Sequence, residues 1–238
     1  MSVNAAMSAA EFDQLFQTVC NWGRWGADDV RGALNYITPA HVRAAAGLVR
    51  TGRPLSLAIP INKVAGPDNA SPAVHTMILT HAMATGPDEP RFALDSLACA
   101  CHGDCHTHID ALCHVSYKGQ LYNGVPAASV ADEGASKLDI TNTCAQGIVG
   151  RGVLLDLPRL RGVKWLEPGE AVWPEELEAA EKAQGVRLGE GDILLFRTGH
   201  HRRRLELGPW DNSPAGEGKA GLHPTAMRLL HERKVAAF

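Results

Sequence analysis

The chain has 238 residues, 45% of them apolar, and a formal net charge of −3 from 23 basic and 26 acidic side chains. That is ample material for one large domain or two small ones. A balance so close to neutral argues against a nucleic-acid wrapper or a membrane-surface protein, since either needs a basic excess. No window approaches the roughly 18 consecutive apolar residues of a membrane span, and Met1–Ala10 lacks a basic region followed by an apolar stretch, so a soluble, cytoplasmic protein is expected.

In chain order, Ser8 and Glu11 form a capping box ahead of Phe12, Leu15, Phe16 and Val19, an apolar face at helical spacing. Thr38 and Pro39 open a second helix that should run through Val49, with Gly52 beyond its end. Arg53–Ile61 reads as a strand, as do Val74–Thr80, Gly152–Leu157 and Asp192–Thr198, each rich in β-branched and aliphatic residues. Pro174 starts an acidic helix over Glu175–Gln184 closed by Gly185, and Pro224 starts another through Arg233. Arg202–Arg204 reads as a solvated loop. Gly208–Gly221 is the most loop-like stretch and is expected to be a mobile surface loop. Lys234–Phe238 looks like the start of a strand. Strands outnumber helices without strict alternation, so the expected class is α/β, a mixed sheet with flanking helices.

The chemistry concentrates at Cys101-His-Gly-Asp-Cys-His-Thr-His-Ile-Asp-Ala-Leu-Cys-His114. Four of the eleven histidines fall within these thirteen residues from His102, where uniform scatter would leave fewer than one. His102, Asp104, His106, His108 and Asp110 all occupy even positions. On an extended strand they would share one face, opposite Cys101, Cys105, Thr107 and Ile109. A face so rich in ionisable groups is costly to bury unless a cation neutralises it. Neutral imidazoles and carboxylates are the ligands expected for a divalent metal, Zn²⁺ or Mn²⁺ foremost, with Fe²⁺ also compatible. Six cysteines are too sparse for a disulfide scaffold. Cys99, Cys101, Cys105 and Cys113 read as small buried residues behind the site rather than as a structural zinc set.

Thr107-His-Ile-Asp-Ala-Leu-Cys-His114, followed by Tyr122-Asn-Gly124, resembles the cyclase family that includes bacterial kynurenine formamidase and isatin hydrolase. The signature of that family is His-x-Gly-Thr-His-x-Asp-x-x-x-His. Trp25-Gly-Ala-Asp-Asp29 with Gly32-Ala-Leu-Asn35 resembles its N-terminal segment, and Gly191–Gly199 and Gly221–Phe238 resemble its later elements. The resemblance implies a single cyclase-like domain over 1–238 with the swivelling β/β/α fold, His108 and Asp110 as metal ligands, and His114 as the general acid/base. It also implies a homo-oligomer. The chain departs from the signature at Asp104, where the first histidine belongs, and at His106, where glycine belongs. The third ligand is therefore open among His102, Asp104 and His106, with His102 favoured. Family members continue past the position matching Phe238, where a later histidine and glutamate complete the formamidase site. The expectation is a chain truncated at its C-terminus, or a divergent member with a depleted site.

The implied reaction is hydrolysis of a small amide, lactam or ester, in which a metal ion lowers the pKa of water from 15.7 to about 7. His114 would move the proton, a task suited to a side chain that ordinarily titrates near 6.5. Trp22 and Trp25 are candidate walls of a substrate pocket. No Gly-x-Ser-x-Gly elbow or phosphate loop occurs, which disfavours serine-hydrolase and nucleotide chemistry. The rival readings are a metal-binding or interaction protein without catalysis, and a dehydratase or ring-closing enzyme on the same site.

Overall fold

The computed structural model describes residues 7–83 and 90–238. Along the chain run α1 (Ala9–Val19), α2 (Pro39–Ala46), β1 (Val74–Leu79), β2 (Leu94–Ala98), β3 (Val130–Ala131), β4 (Gly134–Ala135) and α3 (Ile140–Thr143). They are followed by β5 (Gly152–Asp156), α4 (Leu157–Arg161), β6 (Ala171–Val172), α5 (Pro174–Gln184), β7 (Ile193–Arg197), α6 (His200–Leu207), β8 (Gly221–Leu222) and α7 (Ala226–Glu232). Helices and small sheets mix, as the α/β expectation requires. Contacts divide the chain into one unit of 1–53, 110–203 and 219–238, and a second of 54–109 and 204–218.

The larger unit is built on β5 and β7, which pair in parallel with Gly152 opposite Ile193 and Asp156 opposite Arg197. The chain's last residues lie along the other side of β7: Leu194 N–H donates to Ala237 O and Ala236 N–H to Asp192 O, both at 2.8 Å. That contact accounts for the strand-like pattern of 234–238. Leu155 and Leu157 meet Val172, Leu177 and Ala180 in a core where all five are fully buried. α5 forms where Pro174 fixes the first turn, Glu176 accepts the Trp173 amide at 3.1 Å, and Gly185 ends the helix at φ 65°. α1 carries the expected capping box, Ser8 N–H donating to Glu11 at 2.8 Å. α2 starts at the Thr38 cap but stops at Ala46, three residues short of Val49, because Gly47 closes it.

The smaller unit contains the β1–β2 hairpin, with Val74 opposite Ala98 and His75 bonded to Asp95 across the strands at 2.7 Å. Residues 53–61, expected to be a strand, form no ladder. Pro54 and Pro60 have no N–H to give one. The loop after α6 is pinned rather than loose: Trp210 is buried and its Nε1–H donates to Gly218 O at 3.1 Å. The basic run Arg202–Arg204 is helical, not a solvated loop. Arg203 pairs with Glu167 at 3.0 Å, and Arg204 grips the wholly buried Asp68 carboxylate. Among the described residues no helix is long and apolar enough to cross a membrane.

Candidate metal centre

Residues 101–110 do not form the strand that the alternation of residues suggests. The His106 amide donates back to Gly103 O at 3.3 Å, closing a turn over 103–106, and the segment then runs on without a ladder. A turn breaks the period of two, so the even-numbered side chains scatter. His102, His108 and Asp110 are brought together, one ligand atom from each lying within 4.8 Å of the other two. Asp104 and His106 do not join that group.

His106 is instead buried, with its Nδ1 accepting the Asn62 amide at 3.4 Å. Accepting there places the ring's proton on Nε2, which meets no partner among the described residues. His108 is held the opposite way round. Its Nδ1 lies 3.0 Å from His106 O. A carbonyl only accepts, so Nδ1 carries the hydrogen and the Nε2 of a neutral ring presents the lone pair, the state a metal ligand requires. Between these two histidines the Thr107 hydroxyl accepts the Ile59 amide at 2.9 Å and fixes the chain on that side. The Ile59 contact is not visible in the sequence, because Ile59 lies 48 residues from Thr107.

Further along, the His114 amide closes a turn onto Ala111 O at 3.0 Å, which brings His114 Nε2 to 3.8 Å from Asp110 Oδ2. Leu112 lies between them against Gly32, where a Cβ would come within 3.3 Å of Leu112 Cδ1 and φ is +56°. Glycine at 32 therefore lets the N-terminal segment pack directly against the Asp110–His114 turn.

That segment is clasped by Asp29, which accepts from the Gly32 amide at 2.8 Å, Asn35 Nδ2 at 2.6 Å and the Tyr122 hydroxyl at 2.8 Å. Burial alone would raise the Asp29 pKa, but the hydrogen bonds from Asn35, Gly32, Tyr122 and Arg31 outweigh it and hold the carboxyl below its usual range. Burial, then the Asp29 hydrogen bond, push the Tyr122 phenol far up, so it stays a donor. Asn123, at φ 56°, completes the clasp: its Oδ1 accepts the Gly23 amide at 2.7 Å and its Nδ2 donates to Gly26 O at 3.0 Å. Trp22 and Trp25 pack beside this clasp. Trp22 meets Phe16 edge to face at 5.7 Å, and Trp25 meets Tyr36 at 5.0 Å.

A second buried polar group supports the turn from within the smaller unit. The Cys105 thiol donates to Asp68 O at 3.1 Å, and Arg204 Nη2 donates to Asp68 Oδ1 at 3.2 Å. Burial, then the Asp68 charge, raise the Cys105 pKa, as befits a structural thiol rather than a thiolate ligand.

The fold and the His-His-Asp donor set define an α/β protein with a site able to hold a divalent metal ion. The Cyclase family model matches residues 55–238, and the chain belongs to the cyclase family. A solved structure described as that of a novel cyclase superposes with a TM-score of 0.78 at 37% identity, over 92% of this chain and 76% of the other. No curated protein matches the chain.

Proposed function

We propose that the protein is a metal-dependent hydrolase of a small amide, lactam or ester. The observation that carries this reading is the convergence of His102, His108 and Asp110 with His114 beside them. The donor set suits the group: two imidazoles and one carboxylate are a catalytic-type triad of ligands that leaves a position for water or substrate. Zn²⁺ or Mn²⁺ held there would supply Lewis acidity, polarising a carbonyl and acidifying water.

The chain's own residues do the rest. The His106 carbonyl orients the His108 ring, so its donor nitrogen is set before any ion arrives. His114 accepts the proton of the attacking water and returns it to the leaving nitrogen or oxygen as the tetrahedral intermediate collapses. Its Nε2 lies 3.8 Å from Asp110 Oδ2, which places it beside the donor group. The Asp29 clasp and Gly32 keep the Asp110–His114 turn from drifting, which is how groups far from the chemistry preserve a reactive geometry.

The test is metal content by elemental analysis, together with turnover on N-formyl aromatic amines, lactams and isatin-like rings. His102→Ala, His108→Ala and Asp110→Ala should each lose most of the bound metal and all turnover. His114→Ala should keep the metal and lose about 10²–10⁴-fold in rate. Equal metal content in wild type and Asp110→Ala would refute the ligand assignment. Metal binding without turnover on any substrate would favour the non-catalytic reading.

A further inference from the structure

The larger unit has an open sheet edge. Ile193 N–H donates to Arg151 O at 2.9 Å, so the odd-numbered residues of β5 face β7. The peptide groups of Gly152 and Leu154 therefore point the other way, along an edge with no neighbouring strand among the described residues. One rung further on, the same edge shows what it accepts: the Asp156 amide is met at 3.2 Å by the side-chain oxygen of Gln184. Unpaired backbone groups on an edge are a template for another chain.

The edge runs through a cleft of about 760 Å³. Its lining includes Arg151, Arg159 and Arg187 but no carboxylate, in a chain whose net charge is negative. Arg151 is engaged with the buried Asp192 and with Arg187 O at 2.8 Å. Arg159 and Arg187 are exposed and form no ion pair among the described residues. Leu48, Leu154 and Val186, respectively 55%, 49% and 40% exposed, supply apolar surface between the charges.

From this juxtaposition we propose that the β5 edge binds an extended acidic peptide segment of a partner protein by strand addition. Main-chain hydrogen bonds to Gly152 and Leu154 would carry the register. Carboxylates of the peptide would meet Arg159 and Arg187, and its apolar residues would cover Leu48, Leu154 and Val186. A second copy of this chain is a poorer occupant, because edge-to-edge pairing of two such clefts sets arginines against arginines.

The experiment uses the full chain and a fluorescein-labelled (Glu-Val)₄ octapeptide, with binding read by anisotropy. Saturable binding is expected. It should weaken at least tenfold for (Lys-Val)₄, for (Glu-Val)₄ N-methylated at alternate amides, and for Arg159→Glu/Arg187→Glu with an unchanged circular dichroism spectrum. The N-methylated peptide leaves the protein untouched, so a folding defect cannot imitate its effect. Absence of saturable binding, equal binding of the N-methylated peptide, or a self-associated form in sedimentation that Arg159→Glu/Arg187→Glu dissolves would each overturn the proposal.

Discussion

Replacing Asp29 tests whether the clasp behind the candidate site is a single cooperative unit. Three of the hydrogen bonds that the carboxylate accepts come from the Gly32 amide, Asn35 and Tyr122. A hydrogen bond to a charged group is worth about 1.5–3 kcal/mol, and partial exposure pulls the sum down, so Asp29→Ala should cost about 3 kcal/mol. Tyr122→Phe removes one of the three and should cost about 1–1.5 kcal/mol. The two share one interaction, so the double variant should be less unstable than the sum of the singles by about 1 kcal/mol. Urea unfolding followed by tryptophan fluorescence reads the cycle, since Trp22 and Trp25 pack at the clasp. The pH dependence has a definite sign. The native pKa of Asp29 is lowered, so its stabilisation is present above the unfolded value of about 3.9 and is lost as the pH falls through the lower native value. Asp29→Ala should therefore flatten the acid limb of the stability curve. Strict additivity of the two substitutions, or an unchanged acid limb, would refute this account of the clasp.

Two further outcomes follow from the packing. Gly199 sits at φ +82° with a would-be Cβ 2.8 Å from Trp165 Cα, so Gly199→Ala should cost about 2–4 kcal/mol and lower the melting temperature by roughly 5–15 °C in calorimetry. An unchanged melting temperature would show that Trp165 yields freely. Asp68→Ala strands Arg204 and should destabilise the protein by about 3–5 kcal/mol in urea, while Asp68→Ala/Arg204→Leu should recover part of the loss. A double variant no better than the single would mean that the pair is not the source of the loss.

Much of the larger unit is legible because its signals are local. Ser8 with Glu11, Pro174 with Gly185, and the runs at 152–157 and 192–198 each specify an element from residues within one or two turns of it, and the core forms where they meet. The smaller unit resists because its structure depends on distant partners. β2 is Leu-Asp-Ser-Leu-Ala, a poor strand sequence by composition, and it forms opposite β1, where His75 meets Asp95. Residues 53–61 err the other way: the β-branched and aliphatic pattern is present, but the prolines deny the ladder its donors. Arg202–Arg204 reads as solvent-loving from charge alone, and only the buried Asp68, 136 residues from Arg204, shows why that charge is there.

The histidine segment separates composition from conformation. Its residue types identify the donors whatever the backbone does, because imidazole and carboxylate chemistry does not depend on φ and ψ. Which donors converge does depend on it. Parity admits His102, Asp104 and His106 equally, whereas a turn at 103–106 reverses the chain between His102 and His108 and carries Cys105 and His106 inward. Once buried, each of the two needs a partner. Cys105 finds Asp68 O and His106 finds the Asn62 amide, both contributed by residues more than forty positions upstream or close to it. The same turn leaves the His106 carbonyl facing the His108 ring. The side chain that the alternation offered as a ligand thus acts through its backbone, setting the tautomer of the histidine that remains in the donor group.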